Sequence, residues 1–269
     1  MSKIRQSAVS GTFYPAESTR LQEMVQRFLD TAVLTPTSQP PKAIIAPHAG
    51  YIYSGPIAGS AFKPLVGQMA WVRRVVIIGP AHTMTVRGLA TVSADVFQTP
   101  LGAVPVGKEG IEAIRPLPQI QVNDAAHIQE HGLEVMLPFL QTIASQFAIV
   151  PLVAGSTTGQ EVAEVLERLW GGPETLIVIS SDLSHYYDYA TAKRLDAATA
   201  KAIEMLQPDM LGQESACGRL PIQGLLLRAK EEGLTAVTAD LRNSGDTAGS
   251  KDRVVGYGAF SLRPIQLRK

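Results

Sequence analysis

The sequence predicts an α/β fold: a three-layer α/β/α sandwich with a mostly parallel central sheet, in a single domain spanning residues 1–269. Three observations predict it. Apolar, mostly β-branched runs recur at Ala43-Ile44-Ile45-Ala46, Val75-Val76-Ile77-Ile78 and Leu176-Ile177-Val178-Ile179. Such runs read as strands buried on both faces, the kind that helices cover. Strand-like and helix-like segments alternate through most of the chain, as a layered α/β fold requires. Finally, each of the three runs breaks into a small polar cluster holding a histidine: His48, His82 and His185. Ligands of open α/β sheets bind outside the carboxyl ends of the strands. Three of the five histidines delivered to that edge therefore predict one site.

The elements follow in order. Ser10-Gly11-Thr12-Phe13-Tyr14-Pro15 is turn-rich, with Gly11 and Pro15 bracketing two aromatic residues. Ser18 is expected to cap a helix through Leu21, Met24, Val25 and Phe28. Residues 35–41 read as a Pro/Ser/Thr linker into the first strand. Residues 55–65 are expected to form the crossover helix that two parallel strands need, and residues 74–78 the second strand. A strand is expected at 91–97 and a turn at 100–102. Residues 127–146 predict one helix with Leu133, Met136, Leu137 and Leu140 on a single face, kinked at Pro138. A strand at 147–153, an amphipathic helix at 160–169, the third histidine-bearing strand and an Ala-rich helix at 190–206 come next. The last helix, 220–229, tolerates Pro221 in its first turn. Strands at 237–241 and 254–262 close the chain.

Composition narrows the function. Lys+Arg and Asp+Glu both number 24, so the net charge is zero and nothing favours nucleic acid or an anionic membrane as partner. The amino terminus has no apolar stretch of the signal-peptide kind and no later run approaches a membrane span, which predicts a cytoplasmic protein. One cysteine, Cys217, excludes an internal disulfide.

The chemistry-bearing residues leave several assignments open. His48 and His82 each follow a strand and are flanked by small residues, which suits either a metal site or loop histidines bonded to backbone. Asp182 and His185 would share a face if the chain turned helical there; the pair could bind metal, or the carboxylate could orient an imidazole acting as acid or base. Glu130, His131 and Glu134 fall at an expected helix start and could supply a ligand or only a solvated terminus. Cys217 precedes a helix start, which would favour its thiolate, although a lone cysteine is usually a small core hydrophobe. Two histidines and an anionic ligand suit non-haem Fe(II) oxygen chemistry, and equally a hydrolytic zinc site. The sequence holds no G-x-S-x-G elbow and no Gly-rich phosphate loop.

Taken in order, Phe13-Tyr14-Pro15, Pro47-His48-Ala49-Gly50-Tyr51-x-Tyr53-Ser54-Gly55, Gly79-Pro80-x-His82, Glu130-His131-x-x-Glu134, Ser181-Asp182-Leu183-Ser184-His185, Cys217-Gly218, Asn243-Ser244-Gly245-Asp246 and Val255-Gly256-Tyr257 resemble the Memo family. Its bacterial and archaeal members are also called AmmeMemoRadiSam system protein B. That family is similar in fold to the LigB-like class III extradiol dioxygenases. The resemblance implies His48, His82 and Cys217 as metal ligands, with Asp182 and His185 beside them and His185 as the acid/base group. The dioxygenases carry a glutamate where this family has the cysteine, and the softer sulfur makes copper a competitor to iron. Tyr14, Tyr51, Tyr53, His131 and Glu134 are the expected pocket residues. The leading expectation is an iron-dependent redox enzyme. The alternatives are a binding or scaffold protein for a peptide or a radical-SAM-system partner, and a zinc-type hydrolase. The expected ligand is a small molecule or a peptide.

Overall fold

A computed structural model of the chain describes residues 2–32 and 40–264. Its strands are β1 (Ile4–Arg5), β2 (Ala43–Ala46), β3 (Arg74–Pro80), β4 (Leu89–Thr91), β5 (Val96–Thr99), β6 (Gly102–Pro105), β7 (Ile120–Val122), β8 (Ala148–Ala154), β9 (Thr175–Ser180), β10 (His185–Tyr187), β11 (Leu234–Asn243) and β12 (Val254–Pro264). Its helices are α1 (Ser18–Thr31), α2 (Tyr51–Phe62), α3 (Lys108–Ile114), α4 (Ala125–Ile128), α5 (Leu137–Ile143), α6 (Gly159–Leu169), α7 (Tyr189–Glu204) and α8 (Arg219–Glu231).

The main sheet runs β10-β12-β2-β9-β3-β8-β4-β7, with β11 also paired to β12. Its middle is parallel: β2, β9, β3 and β8 lie side by side, with Ile45 and Ile78 both opposite Ile179. On its flanks β12 pairs antiparallel with β2, β10 and β11, and β4 antiparallel with β8. Every residue of β2 and β9 is buried. Successive side chains of a strand point to opposite faces, so both faces of the sheet must be covered. Helices α1, α2 and α5 pack with one another as one group, and α3, α6 and α8 as a second, while α7 lies on β11 and β12. Each fully buried Ile or Val of these strands contributes about 1.5–3 kcal/mol. A separate three-stranded sheet, β1-β5-β6, ties the amino terminus to the middle of the chain.

The elements depart from the sequence reading in instructive places. The cap of α1 is Glu17, whose carboxylate accepts the amides of Thr19 and Arg20; Ser18 is already helical. The expected strand at 91–97 is two strands in different sheets. The expected long helix at 127–146 breaks into α4, a loop, a 3-10 turn at Glu134–Met136, and α5. Pro138 starts α5 rather than kinking a longer helix, because its missing N–H costs nothing in a first turn. Helix α6 has a full capping box between Thr158 and Glu161. Of the expected linker at 35–41, residues 35–39 lie outside the described residues. Helix α2 starts directly after the His48 loop. A Cβ at Gly59 would stand 2.6 Å from the Phe28 carbonyl oxygen, so only glycine lets α1 pack this closely behind that loop.

Candidate metal centre

The order β2-β9-β3 explains why the histidine-bearing loops meet. The three strands are adjacent and parallel, so the loops after Ala46, Ser180 and Pro80 leave the same edge. These loops deliver His48, His82, and the Asp182–His185 segment. The loop between α4 and the 3-10 turn adds His131. Donor nitrogens of His48, His82 and His131 all lie within 4.8 Å of one another. The His48 and His82 ring centroids are 4.9 Å apart and those of His82 and His131 4.5 Å.

Hydrogen bonds decide which nitrogen of each ring carries the proton. Ser180 Oγ gives its one hydrogen to the Gly132 carbonyl, so it accepts from His48 Nδ1 at 2.8 Å. His82 Nδ1 donates to Glu130 Oε1 at 2.8 Å, and Glu130 also accepts the amides of His82 and Gly132. Burial opposes ionisation of Glu130, but those hydrogen bonds outweigh it and hold its pKa down at about 2. In both histidines the Nδ1 side is thereby occupied and Nε2 is the nitrogen left for an ion, the arrangement that outer partners impose on metal ligands. Burial, reinforced by neighbouring imidazoles, pushes His48 down to about 3 and His131 to about 4. Both are neutral near pH 7 and available to a metal ion.

Cys217 meets this group from the loop before α8. Its sulfur lies 3.4 Å from His48 Nε2 and accepts the Asp182 amide at 3.3 Å. The helix start does not favour a thiolate here. Burial, then the nearby Asp182 carboxylate, raises the thiol pKa to about 12. Asp182 Oδ1 accepts the His48 amide at 2.7 Å, and burial raises its own pKa. Asp182 and His185 do not share a helix face, because the chain runs into β10 rather than a helix. The ring of His185 is oriented by the Leu183 carbonyl, 2.8 Å from Nδ1, and not by Asp182.

The pocket residues divide. A cleft of about 720 Å³ holds His48, His82, His131, Asp182, His185 and Tyr53. Tyr14, Tyr51 and Glu134 lie outside it, buried behind its wall. Glu134 is fully enclosed: it pairs with Arg5, accepts the Tyr14 hydroxyl, and accepts the amides of Ala8 at 2.7 Å and Val9 at 3.1 Å. Tyr51 donates to the Val135 carbonyl at 2.7 Å. An aromatic ring does stand over the site, but it is Phe13, whose ring lies 4.8 Å from that of His131. Sequence reasoning did not find Ile52, Tyr186, Arg253 or Tyr257 as lining residues. Of these, only Tyr257 stood in a motif, and the others lacked any local signal. It did notice Glu130, without its role as anchor of His82.

A second cavity, about 440 Å³, lies at the opposite end of the strands beside Trp71, Trp170 and Lys42. Lys42 Nζ donates to the carbonyls of Trp170, Gly172 and Thr175 at 2.6–2.8 Å, so its three hydrogens are committed. The histidine cleft is the opposite case. Its imidazoles leave ring nitrogens over, those of His48 and His131 neutral, beside a sulfur, which is a donor set that fits a transition-metal ion. Among the described residues, no helix is long and apolar enough to cross a membrane.

Comparison with known proteins agrees with this geometry. The family described as "Memo-like protein" matches residues 5–261. A "MEMO1 family protein" of Aquifex aeolicus is 36% identical over 268 residues, covering 95% of this chain and 97% of that protein. A second, from Ignicoccus hospitalis, is 35% identical, covering 96% and 98%. A third, from Aeropyrum pernix, is 36% identical, covering 97% and 100%. Because the match encloses all five histidines, Cys217 and nearly the whole sheet that gathers them, this chain belongs to the Memo family.

Proposed function

We propose that the cleft is the active site of a redox enzyme whose resident ion is Fe(II), held by His48, His82 and Cys217. The observation that carries this reading is the 3.4 Å separation between His48 Nε2 and Cys217 Sγ. Two donors on one ion, with bonds of about 2.0 and 2.3 Å at a tetrahedral angle, stand about 3.5 Å apart. A sulfur donor also favours a softer ion such as iron, copper or zinc over a hard one. When bound, Fe(II) would supply one-electron chemistry with oxygen and open positions for substrate.

The chain's own residues do the rest. Ser180 and Glu130 fix the rings of His48 and His82 before an ion enters. Cys217, outside the cluster whose donors already lie within 4.8 Å of one another, has to close on it and give up its thiol proton. His185 takes or returns a proton at Nε2, its Nδ1–H being anchored on Leu183. Asp182 ties the His48 loop to the loop after β9 through the His48 amide. Phe13 and Tyr53 limit the access of water.

The clustering of His131 with His48 and His82 favours a second reading, a zinc-type hydrolase on three imidazoles. Anoxic loading separates the two. With Fe(II), wild type is expected to bind near-stoichiometric iron and to consume oxygen with ascorbate as reductant. His82→Ala and Cys217→Ser should lose both, and His131→Ala should keep most of the iron. Oxygen uptake unchanged in His82→Ala would overturn the redox reading. Iron retained by Cys217→Ser but lost by His131→Ala would move the third ligand to His131. Ester hydrolysis by the zinc-loaded, oxygen-free protein would favour the second reading.

A further inference from the structure

The cleft contains one cation for which the metal site has no use. Arg253, in the loop before β12, lines the rim and is exposed. Among the described residues it makes no ion pair. Among the described residues its side-chain hydrogen bond and its cation–π pairing both go to Tyr186: Nε donates to the Tyr186 carbonyl at 3.4 Å, and the guanidinium stands 5.5 Å from the Tyr186 ring centre. That leaves both terminal nitrogens, the two-pronged end of the fork, without a carboxylate.

Tyr186 gives this placement a second basis. Its φ is +63°, a left-handed conformation that is unfavourable for a bulky residue and persists only where the surroundings impose it. The strained residue directly follows His185 and carries its ring 64% exposed at the cleft mouth. One turn thus sets both the proton-transferring imidazole and the arginine. The same cleft is lined by the apolar side chains of Phe13, Ile52 and Tyr53, and Ile52 is 60% exposed. An apolar wall with one convergent cation is the usual design of a site for an amphipathic small molecule.

We propose that Arg253 is the specificity-determining residue of the cleft and that the ligand is a small amphipathic anion. Its apolar body lies against Phe13, Ile52 and Tyr53, its carboxylate or phosphate is gripped by the free fork of Arg253, and its other end faces His48 and His82. This rests on the reading of the cleft as a metal-dependent active site. A planar guanidinium recognises both anions bidentately, which an ammonium cannot do.

The test is calorimetric titration of the Fe(II)-loaded protein, without oxygen, with 4-phenylbutyrate, 4-phenylbutyl phosphate and the neutral 4-phenylbutanol. At least one anion is expected to bind wild type about 10-fold or more tightly than the alcohol. The tighter of the two anions identifies the headgroup. Arg253→Gln should reduce that preference to near unity, and Arg253→Lys should keep only part of it. Equal binding of charged and neutral probes, no binding at millimolar concentration, or a preference that survives Arg253→Gln would each overturn the proposal. Repeating the titration without metal detects an anion bound to the ion itself, whose preference would vanish with the metal and ignore Arg253. Metal content and thermal unfolding of each variant are measured alongside. A wild type that takes up no iron yet shows the Arg253-dependent preference would defeat the metal reading and leave the anion site standing.

Discussion

Glu130 and Glu134 lie four residues apart in one stretch of chain, both buried, and they serve different regions of the molecule. Glu130 faces the cleft, where it holds the ring and the amide of His82. Glu134 faces the other way, into the wall behind the cleft, where Arg5, Tyr14, Ala8 and Val9 converge on it. Burial alone does not distinguish a functional carboxylate from a structural one. The difference lies in the partners. Those of Glu134 are consumed by the contact, whereas His82 keeps a nitrogen for something else.

The largest expected effect is on the wall side. Glu134→Ala strands the buried Arg5 charge and frees three other donors, and should cost about 3–5 kcal/mol of stability in denaturant unfolding. The iron affinity of the fraction that folds should change little. Loss of iron without loss of stability would erase the distinction between the two carboxylates.

Next comes His127, which packs on the wall side with its carbonyl accepting from Arg5 Nε at 2.9 Å. Burial lowers its pKa from 6.5 to about 4. Between those values the unfolded chain binds a proton that the folded chain refuses, so stability is complete above about pH 6.5 and is lost as pH falls towards 4. The loss from this one group is on the order of 3 kcal/mol. His127→Gln should flatten that acid limb by one proton. An unchanged slope would show that His127 does not titrate this way.

Glu130→Gln should cost about 1–3 kcal/mol of stability, because its amide NH2 meets buried donors that the carboxylate accepted, and should weaken metal affinity about 10–100-fold, as the loss of an anchoring partner does. Competition with a chelator measures it. The smallest effect is expected for Tyr51→Phe, which removes the bond to the Val135 carbonyl and should cost about 1 kcal/mol with metal binding unchanged. A marked drop in metal affinity there would return Tyr51 to the functional side.

Much of the parallel core was legible. Ala43–Ala46, Arg74–Pro80 and Thr175–Ser180 announce themselves because a strand buried on both faces needs apolar residues at every position. The stretch 127–146 misled because Leu133, Met136, Leu137 and Leu140 do have helical spacing, yet tertiary contacts to Glu130 and Glu134 break the helix between them. The pocket tyrosines misled for a related reason. Tyr14 and Tyr51 adjoin the site in sequence, but their rings turn into the core and Phe13 takes the cleft face.

The sequence by itself determined the sheet, the edge at which the three histidines emerge, and the family, because those depend on local hydrophobic pattern and on residues in fixed order. Only the tertiary structure decided how the histidines divide. It joined His131 to His48 and His82 and oriented His185 by a backbone carbonyl instead of Asp182. It also brought Arg253 to the rim. Those outcomes depend on which hydrogen-bonding groups, distant in sequence, are left without other partners once the layers pack.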